Sequence, residues 1–235
     1  MKITLFIWRI HTSAIPFAIL RMALDRIYLR TVHGLTFYKL LGTGKGQSFT
    51  PRDADLWQWG LLIVGDEQAV AQIKSSRLIQ RWNSRAKEIA ELDLRTLSSH
   101  GAWAKQEPFV KSEVQAPLAT ASPLAIAAIT RARIKWSKNI IFWRAVPPVI
   151  DALERAPGLI TAIGIGEAPI GLQGTFSLWS DGKSLRDFAY KSDEHNRAIA
   201  ATKEVGWYSE ELFARFAVES ASGSLNGIAL GNTAD

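Results

Sequence analysis

Cysteine is absent from the 235 residues, and methionine occurs twice. Without thiols there can be no disulfide, no cysteine-ligated zinc or iron–sulfur cluster, and no thiolate on a haem iron. A metal would need His, carboxylate, Tyr or Met ligands, and histidine is scarce too, at four residues. Long apolar runs are also missing. Arg9 and His11 break the run Ile3 to Trp8 before it reaches signal-peptide length, so the chain is expected to stay cytoplasmic. Ser13 to Arg30 carries Arg21, Asp25, Arg26 and Arg30, too charged to span a bilayer, and reads as an amphipathic helix.

The net charge of +6 is spread along the chain, with no basic block and no helix-turn-helix, RRM or zinc-finger pattern, so nucleic acid is not the expected partner. No hydrolase set can be assembled, for G-x-S-x-G and H-E-x-x-H are both lacking. Gly42-Thr43-Gly44-Lys45-Gly46 follows a strand but has neither the Walker Lys-Ser/Thr pair nor the G-x-G-x-x-G spacing. Glycines that let two backbones approach, or that end a bulged strand, explain it better.

What the sequence does contain is an internal echo. Shifting the chain by 124 residues lays Leu5 to Ile10 on Ile129 to Ile134, Gly34-Leu35 on Gly158-Leu159, and Gly42 on Gly166. Patterning predicts a strand at 2–10, a helix at 14–30 capped by Ser13, and strands at 35–42 and 56–64. It then predicts a helix opening at Asp66, a helical stretch near 77–90 and a strand at 91–98. The second half is expected to repeat this with a strand at 124–134, a helix at 140–156, strands at 159–165 and 173–180, helices at 183–191 and 194–205, and a strand at 211–219.

Strand-helix-strand-strand-helix-strand is the ferredoxin-like order, an antiparallel sheet with helices on one face. The bare face must be buried. The fold expected is therefore α+β, with two tandem ferredoxin-like repeats whose antiparallel sheets face each other, a dimeric α+β barrel type fused in one chain. The repeats would span 1–103 and 124–235, with 104–123 as a Pro- and Ala-rich linker forming part of one compact unit.

Nine tryptophans are many for this length. Trp8, Trp57, Trp59, Trp179 and Trp207 fall in or beside predicted strands, where inward rings together would line an apolar pocket, although most of them taken singly read better as core. If Asp193 caps a helix, His195 shares a face with Ala198, Ile199 and Thr202 and points inward. It then serves either as a core histidine or as an iron ligand. His11, His33 and His100 lie at element ends and read as surface. Glu210-Glu211 and Asp193-Glu194 read as solvated charges near helix starts.

Several linked stretches resemble the spheroidene monooxygenase family of carotenoid biosynthesis. They are Phe37 to Gly46 followed by Phe49-Thr50-Pro51, Phe142 to Pro147, Ile163 to Pro169, Thr175 to Trp179, and His195, Ala198-Ile199, Gly206-Trp207 with Glu210 to Phe216. The similarity runs from about Ile3 to about Gly223; Gln47 and the tail after Asn226 depart from it. The resemblance implies a monooxygenase that introduces a keto oxygen at C2 of spheroidene or a related acyclic carotenoid, using dioxygen and reduced ferredoxin. It also implies haem, with His195 as the axial ligand and Arg144 pairing with a propionate or orienting oxygen. Trp143, Trp179 and Trp207 would flank the polyene, and Glu167 would relay protons. The alternative from another class is a haem- or apolar-ligand binder of the same fold without oxygenase activity. Because carotenoids live in the bilayer, the basic balance suits peripheral contact with the inner face of the cytoplasmic membrane.

Overall fold

The computed structural model describes residues 1–44, 53–110, 125–134, 147–167, 174–191 and 208–231. In chain order these form β1 (Lys2–Ile10), a 3-10 turn (Thr12–Ala14), α1 (Ile15–Leu29), β2 (Leu35–Gly44) and β3 (Ala54–Gly65). Next come α2 (Glu67–Lys74), α3 (Arg77–Asn83) and β4 (Ala86–Gly101). The remainder is β5 (Ile126–Ile134), α4 (Pro147–Glu154), β6 (Leu159–Gly166), β7 (Gly174–Trp179), α5 (Gly182–Lys191), β8 (Tyr208–Leu225) and β9 (Ile228–Ala229).

Local chemistry explains most boundaries. Pro16 sits in the first turn of α1, where a missing N–H costs nothing. Ser13 does not cap that helix; it lies inside the 3-10 turn that leads into it, and Ala14 holds the cap position without a side-chain bond. Asp66 does cap α2, accepting the Ala69 N–H at 2.7 Å. The helix expected near 77–90 stops at Asn83, and Ala86 to Gly101 is strand instead. Its charged residues suit a helix surface, but backbone pairing with β1 on one side and β8 on the other claims the segment. The helix expected at 194–205 lies outside the described residues.

The strands run β4-β1-β3-β2-β6-β7-β5-β8 and β8 returns to β4, so the antiparallel sheet closes on itself. The first four strands take the order β4-β1-β3-β2 and the next four β8-β5-β7-β6. The sheets expected as two facing layers thus share both edges. One shared edge is short, Gly42 to Gly44 against Gly166 to Gly164. The other is long, running from Ala90 opposite Gly223 to Gly101 opposite Leu212. Closure removes the open strand edges that would otherwise invite aggregation.

Two apolar layers result. Ile3, Leu5, Leu62, Leu92, Ile129, Ile163, Phe176, Leu212 and Phe216, from both halves, form one inner cluster. Outside, α1, α2 and α3 cover Phe6, Trp8, Trp59 and Ile63 of the first half, and Leu153 and Leu185 cover Ile126 and Trp179 of the second. Alternation along each strand sends successive side chains to opposite layers. Trp8 and Trp59, expected to face inward, therefore pack beneath helices, and Trp57 is exposed.

Glycine matters at the long shared edge. Gly101 and Gly223 hold positive φ, 90° and 82°, and a Cβ on either would overlap a carbonyl oxygen across the edge, that of Glu211 or of Ile89. Gly227 also has positive φ, 77°, but open space around it. Gly223→Ala is expected to lower unfolding stability by about 3–5 kcal/mol, combining left-handed strain with overpacking, and Gly227→Ala by about 1–2 kcal/mol from strain alone. Denaturant titration of the two variants measures the difference; equal losses would show that backbone approach across this edge is not limiting.

Candidate functional site

Antiparallel register brings the C-terminal ends of β4, β5 and β6 and the N-terminal end of β8 to one end of the closed sheet. Here the inward-facing positions turn from apolar to charged. On β5, Ala125, Ala127 and Ile129 join the inner cluster, and the next residue on that face is Arg131, whose side chain is 2% exposed. On β2, Lys39 falls between the inner residues Phe37 and Leu41.

Glu167, just beyond β6, is the hub. Its Oε2 accepts from Lys39 Nζ at 2.8 Å, and its Oε1 accepts from Arg131 at 2.8 Å and from the Trp103 indole at 2.6 Å. The other arm of Arg131 meets Glu210 of β8 at 2.5 Å. Glu210 also accepts the backbone N–H groups of Ala104 and Lys105, at 3.0 and 2.7 Å. These two residues carry φ of 56° and 62°, a strained pair for side-chain-bearing residues that the carboxylate helps to hold. The Arg131 guanidinium and the Lys39 ammonium lie 5.2 and 5.8 Å from the Trp103 ring, within cation–π range.

The charges balance, two cations against two carboxylates. Burial pushes the Glu167 carboxyl up, but hydrogen bonds from Lys39 and Trp103 and the charges of Lys39 and Arg131 outweigh it, leaving the pKa below the ordinary 4.5. Glu210 behaves alike: burial raises it, and the Lys105 and Ala104 N–H groups with Arg131 bring it below 4.5. A carboxylate held ionised by three donors is a poor proton acceptor near neutral pH. Through these bonds Glu167 fixes β2, β5 and the segment after β4 around one point.

The opposite end is tied by neutral and charged groups together, with Arg9 donating to Asn226 Oδ1 at 3.4 Å and the Gly227 N–H donating to Glu88 at 2.6 Å. Asn226-Gly227 forms the tight turn of the β8–β9 hairpin, with φ of 53° and 77°. Asn226 accepts from Gln58 Nε2 and donates to Thr161 Oγ1, both at 3.0 Å.

Of the residues singled out from sequence, Glu167 stands at this centre, while Trp143, Arg144, His195 and Trp207 lie outside the described residues. Trp179 does not join Glu167. It is fully buried on the helix-covered face beside Phe188, with its indole bonded to Ser177 Oγ at 2.9 Å, because strand alternation puts it on the opposite side from Phe176 and Leu178. Glu210 is a strand residue in an ion pair and not a solvated charge at a helix start. His11, His33 and His100 are exposed, and the described residues contain no group of His, Asp and Glu able to hold a metal ion. Sequence reasoning missed Arg131, Lys39 and Trp103. The available signal was an arginine on the apolar alternation Ala127, Ile129, Arg131.

Known relatives resemble this chain over most of its length. Spheroidene monooxygenase of Rhodobacter capsulatus is 37% identical over 220 residues, covering 92% of this chain and 89% of that protein. The proteins of the same name from Rubrivivax gelatinosus and Cereibacter sphaeroides are 36% and 34% identical, over 83% and 88% of this chain and 73% and 63% of theirs. No family model matches the chain. Among solved structures, aldoxime dehydratase with butyraldoxime aligns with a TM-score of 0.55 at 12% identity, over 92% of this chain and 79% of that one. A second aldoxime dehydratase structure gives 0.52 at 11%, over 92% and 80%. At such identities the likeness is one of fold alone.

Glu167→Gln tests the charged hub. Because the folded pKa of Glu167 lies below 4.5, its stabilisation is complete above that value and is lost as pH falls through the folded value. The variant is expected to be about 1–3 kcal/mol less stable at pH 7, where Arg131 and Lys39 lose a countercharge. The gap to the wild type should narrow in acid. Denaturation across pH measures it; a gap that is constant with pH would show that Glu167 contributes no net charge pairing.

Proposed function

The chain belongs to the spheroidene monooxygenase family, and on that premise we propose that it introduces the keto oxygen at C2 of spheroidene or a related acyclic carotenoid. As a member it is a carotenoid-modifying, dioxygen-dependent oxidoreductase. The observation that carries this reading is 37% identity spread over 92% of the chain. Each oxygen-atom insertion sends the second atom of dioxygen to water, so electrons must be supplied, and reduced ferredoxin is the proposed donor.

Side chains alone have no one-electron chemistry suited to dioxygen, so a cofactor must supply it, and haem is the group we assign to that task. The described residues do not themselves fit haem iron, since their three histidines are exposed and metal-ligating groups are not clustered. Following the family resemblance, we assign the iron to His195 and a propionate to Arg144; these residues would hold the group. Trp143 and Trp207 are assigned to the polyene. Glu167 and Arg131 shape the end of the closed sheet from which the chain runs into these segments.

We also read the chain as two ferredoxin-like repeats, 1–103 and 124–235, joined by 104–123. Three observations support this. The same strand order occurs in each half. Gly34 and Gly158, 124 residues apart, share φ of 81° and 80°. Across the long edge Ala90 faces Gly223 while Leu212 faces Gly101, as a two-fold relation would place them.

Expression in a host that accumulates spheroidene should yield a product heavier by the mass change of CH2 to C=O. An unchanged carotenoid profile with soluble protein present would reject the reaction. Protein from haem-replete cells should show a Soret band that His195→Ala removes, whereas a colourless wild type with full activity would reject the cofactor.

A further inference from the structure

α1 has two apolar faces, and only one is used. Ala18, Met22 and Leu29 are buried against the first-half sheet. On the far side Pro16, Ile19, Leu20, Ala23, Leu24 and Ile27 form a continuous exposed stripe at helical spacing. Its large members are strongly exposed: Ile19 47%, Leu20 57%, Leu24 40% and Ile27 64%. Other exposed large apolar residues, such as Met1, Val110 and Ile228, are scattered singly over separate elements. α2, also on the covered side of the sheet, shows the ordinary pattern, with Glu67, Gln68 and Gln72 outward.

The exposed charges that the helix itself sets beside the stripe have one sign. Arg26 flanks it and Arg30 follows it, both exposed. The one acidic residue between His11 and Gly34 is Asp25, which is fully buried, bonded to Arg21 and to the Trp82 indole. At the N-terminal end of the helix, Trp57 is 44% exposed and its indole donates to Thr12 Oγ1 at 3.0 Å. An apolar stripe with arginines beside it and an exposed indole at its end has the form of a helix lying in a lipid interface. None of the described helices is long and apolar enough to cross a membrane.

We propose that α1 docks this protein on an anionic lipid surface, with Ile19, Leu20, Leu24 and Ile27 entering the acyl boundary and Arg26 and Arg30 meeting lipid phosphates. A second copy fits less well. An isologous contact would set the same stripe against itself and bring the arginines of two copies together with no exposed acid on the helix to pair them. Anionic headgroups supply that missing countercharge. Arg26 also donates to the Glu167 backbone carbonyl at 3.3 Å, so docking places the charged end of the closed sheet beside the surface. The inference rests on the carotenoid reading for its purpose, delivery of a bilayer-borne substrate, but not for its physical basis.

Co-sedimentation with phosphatidylglycerol and with phosphatidylcholine vesicles tests it, using the full chain and the double variant Leu20→Glu/Ile27→Glu. The wild type should bind phosphatidylglycerol at least about tenfold more tightly than phosphatidylcholine, and the variant should lose about tenfold or more. Unchanged thermal melting of the variant guards against misfolding, since both positions are exposed. Turnover of vesicle-borne carotenoid should fall in the variant, while turnover of detergent-dispersed carotenoid stays level. A wild type that ignores phosphatidylglycerol, or a variant that binds as well, overturns the proposal. So does a wild-type dimer that the variant converts to monomer, because the stripe then belongs to a second copy. Lipid binding without any turnover, in vesicle or detergent, would instead reject the carotenoid reaction and leave the docking surface standing.

Discussion

The hydrogen-bonded edge between β4 and β8 is the contact on which the rest of the molecule depends. Each half presents a sheet with helices on one face and apolar side chains on the other. Left open, such a sheet exposes both a greasy surface and unpaired strand edges. Pairing from Ala90 to Gly101 against Gly223 to Leu212, with the shorter pairing of β2 to β6, removes both problems together. The close backbone approach this needs explains the glycines at 101 and 223 more directly than any local turn preference does.

Closure in turn dictates how charge is handled. A closed apolar interior is a poor solvent for ions, so polar groups that face it must find partners at its ends. Arg131 is met by two carboxylates, Glu167 by Arg131, Lys39 and Trp103, and Glu210 by backbone N–H groups as well. Asp25 follows the same rule outside the sheet, held by Arg21 and Trp82 beneath α1. These groups draw strands from both halves into one geometry.

The distribution of apolar surface then separates two tasks. Inward residues stabilise the closed sheet, and the outward face of α2 is polar. α1 departs from this with its second apolar face, and the only acid on that helix is spent on an internal hydrogen-bonded pair. That second apolar face is what the proposed docking on lipid rests on, and none of the described helices is long and apolar enough to cross a membrane.

Sequence by itself determined the strand and helix order of the described residues as far as β8, but not the β9 hairpin, because periodicity and capping act over a few neighbours: β1, β2, β6 and the Asp66 cap fall where local pattern puts them. It also determined the family, since linked stretches from Phe37 to Phe216 carry it. It misread Ala86 to Ala90 as helix, where strand pairing with a distant segment overrode local preference. It placed Trp8, Trp59 and Trp179 toward the inside because an alternating pattern does not say which face is covered by helices. Only the tertiary structure decided that Arg131, Lys39, Trp103, Glu167 and Glu210 meet, because their contact depends on the register of strands far apart in the chain, and register is fixed by closure.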